Sequence, residues 1–396
     1  MRYFRMAHGV LRAIPLIVFF LFSSEGMGAE IKFIPLINLG EEYNNNLFFD
    51  DSESDRVHDV TTMISPGVKL LARTERLDSS LLSRAIFLKY RDSDDLDSTD
   101  QEHLARIAYR LTERWDVLAE AGFTRDSRPD RDITVTGLVL NAERRDREIY
   151  RVRTDYALSE KTTAGIGYAL ERDTYDSEGT SDSLFQSGQL VFTRKLDSIL
   201  QKATGRLASA YGHYDFDDVD VDEYSLSVGV DKQLNELFSL SVDVGERYFS
   251  SRLKGESEFE SAYRYAATAL IACTYTGEKG SSLLTLERSA SALDQSQGVT
   301  SLTSILFSTT RKFTRKLSGT VLMELIVNKT PGETLSVEKV DDQTVYIQPM
   351  IVYSFTESLS AEAFGRFVRV IDYENDSTSR QSLYSLHLTW QYPVPR

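Results

Sequence analysis

From residue 30 onward the chain repeats one pattern. Segments of about ten residues alternate apolar with polar side chains, and the segments are joined by connections of two alternating lengths. Period two is the signature of a β-strand with one apolar and one polar face, and about ten residues is the length of a tilted strand that crosses a bilayer. Ala105, Ile107, Tyr109 and Leu111 share one face, with Arg106, Ala108 and Arg110 on the other. Val117, Ala119, Ala121 and Phe123 oppose Glu120, Gly122 and Thr124, with Leu118 an exception. Tyr150, Val152, Thr154, Tyr156 and Leu158 oppose Arg151, Arg153 and Asp155, and Ala164, Ile166, Tyr168 and Leu170 oppose Gly165, Gly167 and Glu171. The same alternation returns in Tyr224 to Val230 and again in Tyr384 to Tyr392.

The connections carry as much information as the strands. Short turns are predicted at residues 75–78, 112–115, 159–161, 195–198, 235–237, 277–280, 314–316 and 356–358, recurring at about 40 residues, the span of one up-and-down hairpin with its loops. Between them lie longer, acidic connections such as Asp92–Asp97 and Asp215–Glu223. Short turns on one side and long loops on the other are the layout of a transmembrane antiparallel up-and-down β-barrel, with turns in the periplasm and loops outside the cell. Eight short turns join sixteen strands, and one strand beyond each end makes 18, with both termini periplasmic. Segments 81–90, 184–193 and 282–289 blur the two faces through Leu81-Leu82, Leu190-Val191 and Leu283-Leu284, so 16 or 20 strands stay open at this point.

A soluble β-propeller or β-helix also repeats at this period. Stacked sheets need both faces apolar, whereas one face here carries Arg, Glu, Asp, Ser and Gly in strand after strand. Aromatic residues at strand ends (Phe87, Tyr90, Trp115, Tyr248, Tyr263, Tyr275, Phe355, Trp390 and Tyr392) are placed like the interfacial girdles of a barrel. A mean hydropathy of −0.29 and the lack of an interior apolar run of about 18 residues exclude the usual helical membrane protein. With 45 Lys+Arg against 60 Asp+Glu and a net charge of −15, the chain does not suit nucleic acid, whose phosphates need a basic surface. One cysteine, Cys273, excludes a disulfide scaffold, and its alternation with Ala267, Ala269 and Ile271 puts it toward lipid.

Residues 1–29 read as a secretory signal: Arg2, Arg5 and Arg12, the apolar block Ala13 to Phe22, and small residues ending at Ala29. Ten apolar residues make only about 15 Å of helix, half the hydrocarbon core, so a spanning anchor is disfavoured. No cysteine at the junction offers a lipid anchor. Removing Arg2, Arg5, Arg12 and Glu25 takes the charge from −15 to −17, and residues 30–396 are expected to form the barrel in the outer membrane of a Gram-negative bacterium.

Glu41 to Phe49, followed by Ile64-Ser-Pro-Gly-Val-Lys-Leu70, resembles the opening of the outer-membrane β-barrel porin family linked to exopolysaccharide export. Thr136 to Val139 with the Arg-rich run to Tyr150, and the turn Tyr156 to Lys161, look like the same family. The resemblance implies an outer-membrane barrel associated with polysaccharide machinery and carries over no active site. The chain departs from many barrels at its end, where Trp390 and Tyr392 are followed by Pro393 to Arg396, so the assembly signal is expected to be internal.

Candidate selectivity residues are the charges on the polar faces: Arg106, Arg110, Glu120, Arg151, Arg153, Asp155 and Glu171. Arg151 and Arg153 belong to a basic run with Arg144, Arg145 and Arg147. They are expected inside the lumen, paired with Asp155, Glu120 or Glu171 rather than held free. Asp217, Asp218, Asp220 and Asp222 supply hard oxygen donors but lack the glycine and spacing of an EF-hand, so a solvated loop is the preferred reading over a calcium site. Among His58, His103, His213 and His387, only His213 with Asp215 has spacing suited to general-base work. No nucleophile motif accompanies it, and a rim or lumen histidine in a non-enzymatic barrel is expected, with no cofactor. Two functions follow from this reading: a channel for solutes or an exported polysaccharide, and a non-conducting surface scaffold. The expected partners are outer-membrane lipid and lipopolysaccharide, the barrel-assembly machinery and small solutes or polysaccharide.

Overall fold

In hydrocarbon, no water is available to satisfy backbone N–H and C=O groups, so alternating strands of this kind must pair on both edges and the sheet must close. They do. In the computed structural model, which describes residues 30–128, 130, 131, 133, 144–176, 181–254, 261–293, 298–330 and 340–392, every strand pairs antiparallel with its sequence neighbours. The first six strands are β1 (Glu30–Asn44), β2 (Asp59–Arg73), β3 (Leu77–Tyr90), β4 (Ser98–Thr112), β5 (Trp115–Asp126) and β6 (Arg145–Ser159). Then come β7 (Thr162–Tyr175), β8 (Ser183–Lys195), β9 (Ala203–Phe216), β10 (Val219–Gln233), β11 (Phe238–Leu253) and β12 (Ser261–Gly277). The last are β13 (Gly280–Leu293), β14 (Gly298–Lys312), β15 (Leu317–Lys329), β16 (Asp341–Ser354), β17 (Leu359–Asp372) and β18 (Ser377–Gln391). Pairing of β1 with β18, from Leu36 opposite Gln391 to Asn44 opposite Leu383, closes the 18-stranded sheet into a barrel. The signal-like residues 1–29 and the tail after Tyr392 lie outside the described residues.

The three ambiguous segments are full strands, β3, β8 and β13. In each, one member of the apolar doublet faces out (Leu81, Leu190, Leu284) and the other faces in, so the strand number is 18 rather than 16 or 20. All eight expected turns lie on one side of the barrel. One is longer than expected: residues 196–202 form a helical turn, with Leu200 N–H bonded to the Leu196 carbonyl, and Lys202 closes it at φ 54°. On the opposite side Asp215 to Glu223 is no loop. The β9–β10 ladder runs through Asp220 opposite Asp215, leaving only Asp217 and Asp218 as the turn. The alternation Val219, Asp220, Val221, Asp222 was the strand signal, and its charge density masked it.

The exterior carries two aromatic belts. On the short-turn side, Trp115 meets Tyr156 edge-on at 6.3 Å, Phe238 meets Tyr275 at 5.1 Å and Tyr353 meets Phe355 at 5.0 Å. On the long-loop side, Tyr211, Tyr224, Tyr248 and Tyr265 meet ring to ring, tilted by 41–48°, across four successive strands at 5.1, 6.1 and 4.9 Å. From Phe238 to Tyr248 the strand climbs about 33 Å, which a tilt of about 40° reduces to about 25 Å, the height of an outer-membrane apolar band. Between the belts the exposed side chains are apolar, among them Leu226, Val228, Val244 and Ile271. Cys273, opposite Leu240 and Leu284, lies on this lipid face. The chain is an outer-membrane β-barrel.

The packed core lies inside the barrel, toward the long-loop side, in three clusters. Leu47, Leu88 and Tyr90 form one, which corrects the girdle assignment of Tyr90: it faces inward and is buried. Phe49, Ile133, Tyr346 and Val368 form the second. The third joins Phe216, Val219, Val221 and Phe249 to Ala290, Ala292 and Val299. This last cluster has a topological cause. Pairing of β12 with β13 stops at Ala269 opposite Arg288, and beyond it the adjoining ends of β13 and β14 (Ala290, Ala292, Val299) pack inward on Phe249, where Arg247 Nη1 donates to the Ala290 carbonyl at 2.9 Å.

Candidate functional site: a charged lumen wall and an inward loop

Alternation makes every second side chain of β3 to β7 face the lumen, and a cluster of these is charged. Arg84 pairs with Glu102, and Arg106 Nε lies 3.7 Å from Glu120 while Arg110 Nε lies 3.5 Å from Asp116. Arg151 pairs with Glu171 across the β6–β7 ladder, Arg153 Nη2 with Asp155 of its own strand at 2.8 Å, and Arg147 Nε with Asp173 at 2.7 Å. Gly165 faces Asp155, where a Cβ would collide with the carboxylate that holds Arg153. The seven candidate lumen charges thus sit together on adjacent strands, each in a charge pair. These pairs are half-exposed, so each contributes little to stability, but they line the wall with alternating fixed charge. Arg206 on β9 continues the theme, bonded to Asp231 at 3.0 Å and through Nε to Asp243 at 3.1 Å.

The β5–β6 connection supplies the second component. Its base is an Asx turn in which Asp126 Oδ1 accepts the Arg128 N–H at 2.9 Å, and Ser127 Oγ donates to Asp100 Oδ1 at 2.9 Å. From there Arg128 reaches β1, its Nη2 donating to Glu42 Oε1 at 2.6 Å, while its Nε donates to Asp130 Oδ1 at 3.0 Å. Asp130 also receives Arg366 of β17, and Arg366 donates in turn to Gln381 Oε1 of β18 at 3.1 Å. Ile133, with 0% exposure, completes the contact against Phe49, Tyr346 and Val368. Phe49 takes φ 60°, a left-handed conformation that costs a bulky residue on the order of 1 kcal/mol or more, in order to present its ring there. The described residues of this connection, Arg128, Asp130 and Ile133, therefore reach across the inner wall from β5 to β1, β16 and β17.

Burial alone would push the Asp130 carboxyl up, but the Arg128 and Arg366 guanidinia on either side outweigh it and hold the group well below the usual carboxylate range. Burial would likewise depress Arg128, and the Asp130 and Glu42 carboxylates raise it well above its ordinary value. Both groups are charged at any physiological pH, so the contact is ionic. Sequence reading missed Arg128, Asp130, Ile133, Glu42 and Arg366. Their one available signal was the length of the β5–β6 connection, 127–144, which carries both charges and apolar residues (Ile133, Val135, Leu138, Val139 and Leu140) where a surface loop would be bland.

The remaining candidates are placed apart from this site. His213 points outward at the rim and pairs with Asp222 at 2.9 Å, not with Asp215, which Lys254 takes instead. Asp220 lies 3.3 Å from Lys254 and Asp222 also accepts from Tyr211, so Asp217, Asp218, Asp220 and Asp222 do not converge on one point. Among the described residues no three His, Cys, Asp or Glu side chains gather as metal ligands. His103 is outward, with Ser83 at 2.9 Å and Phe123 stacked on it, and His58 lies in the loop before β2. His387 lines the lumen, its Nδ1 3.0 Å from Asn38 Oδ1 and its ring stacked on Phe364. Thr136 to Val139, which carried part of the family resemblance, lies outside the described residues.

No protein-family model and no curated protein matches the chain. Among solved structures it is similar to OccK2 (OpdF) of Pseudomonas aeruginosa, at 10% identity and a TM-score of 0.49 over 91% of this chain and 97% of that one. It is also similar to the outer membrane channel DcaP of Acinetobacter baumannii, at 10% identity and a TM-score of 0.46 over 92% and 98%. A third similarity is to the alcaligin outer membrane receptor FauA of Bordetella pertussis, at 10% identity and a TM-score of 0.45 over 91% and 76%.

Proposed function

We propose that the barrel is a porin-like diffusion channel whose bore is narrowed by the β5–β6 loop and lined on one side by the paired charges of β3 to β7. The observation that carries this reading is the Arg128–Asp130–Arg366 contact. A loop fixed by buried ions inside the barrel is a built constriction, and rigid placement of charge at a constriction is what gives a pore its preferences. Opposite the charged wall, the inner faces of β14 and β15 mix hydroxyls, with Thr310 and Thr320 bonded at 2.9 Å, with the Glu324 carboxylate opposite Leu306. A lumen with paired charge on one side and hydroxyls and a carboxylate on the other suits small polar solutes, including sugars. In the finer form of the proposal the solute is an exopolysaccharide or its fragments, which rests on the sequence resemblance of residues 41–70 and 156–161. Swelling of liposomes carrying the full-length protein, with neutral and acidic sugars of increasing size, tests both forms. Uptake of mono- and disaccharides supports the channel, uptake of longer oligosaccharides supports the finer form, and no swelling contradicts both.

A specific observation favours a second reading. Three apolar clusters occupy the lumen on the long-loop side, and a barrel that conducts nothing has no reason to keep that region open. In that case the protein is a scaffold that displays its loops, and the charged wall is a hydrated filler.

A further inference from the structure

Just beyond the long-loop aromatic belt the outer wall changes character between β17 and β18. Phe367 and Tyr384 face outward, edge to face at 5.8 Å, and both are exposed. One outward position further from the membrane centre, Arg369 lies directly across the ladder from Arg380. Both side chains are exposed, and among the described residues neither has a carboxylate within ion-pair distance. Their ladder neighbours are uncharged (Val345 beside Arg369, Ile371 and Thr378 above, Ser382 below), and on the far side of Arg380 the segment after β1 comes in, Asn46 Nδ2 bonding the Arg380 and Asp50 carbonyls at 3.0 and 2.8 Å.

Like charges directly opposed on a sheet are destabilising. The chain has a net charge of −15, and near the same end of the barrel it pairs outward cations with carboxylates: Lys329 has Asp341 at 2.9 Å and Arg125 Nε has Asp146 at 2.7 Å. Two adjacent uncompensated guanidinia are therefore explained by an anion that comes from outside the chain. Facing Cβ atoms in such a pair stand about 5 Å apart, which lets both planar forks reach one tetrahedral oxyanion. Their depth selects the source. They sit at headgroup level, above the rings of Phe367 and Tyr384 and the apolar wall beneath them, where an anion carrying acyl chains gains both charge pairing and apolar contact. We propose that Arg369 and Arg380 form a site on the outer wall for the phosphate monoester of an outer-leaflet glycolipid, whose acyl chains run down over Phe367 and Tyr384.

The test uses the full-length protein refolded in lipid-free detergent, with folding checked by heat-modifiable migration. Native mass spectrometry and thermal unfolding are followed on adding diphosphorylated lipid A, the same lipid with its phosphates removed, or inorganic phosphate. The wild type should retain the phosphorylated lipid at least roughly tenfold better than R369Q/R380Q, and R369K/R380K, which keeps charge but loses the forks, should fall between. Without lipid, R369Q/R380Q should unfold at the same temperature as wild type or higher, because a repulsion has been removed; with phosphorylated lipid only the wild type should gain. If R369Q/R380Q does not refold, the wild-type preference for the phosphorylated lipid and its loss in rising salt carry the same comparison. Equal retention by wild type and the glutamine variant, or equal binding of the two lipids, overturns the site. Binding of inorganic phosphate as tight as that of the lipid overturns the lipid source.

Discussion

Removing the Asp130 carboxylate should release the β5–β6 loop from the lumen. The Asp130 side chain is 3% exposed and is shared by Arg128 and by Arg366, itself 12% exposed. In Asp130→Ala, Arg366 retains Gln381 at 3.1 Å and Arg128 retains Glu42 at 2.6 Å, so one guanidinium keeps an ionic partner and the other keeps a neutral one. Deleting one member of a buried ion pair costs about 3–5 kcal/mol, and the surviving Glu42 contact puts the expected value near the lower end, about 3 kcal/mol. Burial of Ile133 still favours docking, by about 2 kcal/mol. A loss of about 3 kcal/mol weakens docking roughly a hundredfold, enough to turn a fixed loop into one that samples undocked states. Single-channel recording in planar bilayers reads this directly: Asp130→Ala should show larger and noisier steps than wild type, with Asp130→Asn between them. If folded Asp130→Ala barrels conduct with the amplitude and noise of wild type, the ionic contact does not hold the loop in the bore, and the constriction is wrong.

Ile107, on the lipid face of β4 between His103 and Leu111, should lose about 2–4 kcal/mol of folded stability on Ile107→Arg, whereas Arg106→Ile breaks only an exposed 3.7 Å pair and should cost under about 1 kcal/mol. Urea titration of folding into lipid vesicles checks this, and equal damage would show the face assignment reversed. Replacing Arg151 and Arg153 together by Glu should shift the reversal potential toward cation preference while heat-modifiable folding is retained; an unchanged potential in a conducting variant removes these residues from the ion path. Acid should act late on the loop. Because the folded Asp130 carboxyl lies below its unfolded value, its contribution is fully present above about pH 4 and is lost only as pH falls through the lower folded value. Conductance noise should therefore stay constant from pH 7 to about 4 and rise only under stronger acid, and a rise between pH 7 and 5 would contradict the ionic latch.

Strand number, closure and the lipid face were legible because a one-residue slip would turn a whole strand inside out, so the alternation is enforced strand by strand. It blurred where the lumen itself is apolar. Leu82 pairs with Leu104 on the inner face, and Leu118 stands opposite Arg153, so an inner leucine beside an outer one hides the period. Tyr90 was misplaced for a related reason: an aromatic residue at a strand end serves an interfacial belt or an internal cluster equally well, and only the packed loop decides. Same-face charge pairs such as Arg106 with Glu120 follow from strand order alone. Asp130 and Arg366 do not, being 236 residues apart in sequence and joined through an irregular loop that has no periodicity to read. Asp215 to Glu223 failed as a loop because charge was weighed over alternation.

The central claim is that the lumen conducts despite its inward loop and internal clusters. The most direct measurement is planar-bilayer recording of the purified, heat-modifiable wild-type barrel, alongside Asp130→Ala under the same salt. Discrete, ohmic steps that enlarge in the variant are the predicted result. Complete insertion, verified by protease protection, with no conductance in either protein would contradict the channel and leave the scaffold in its place.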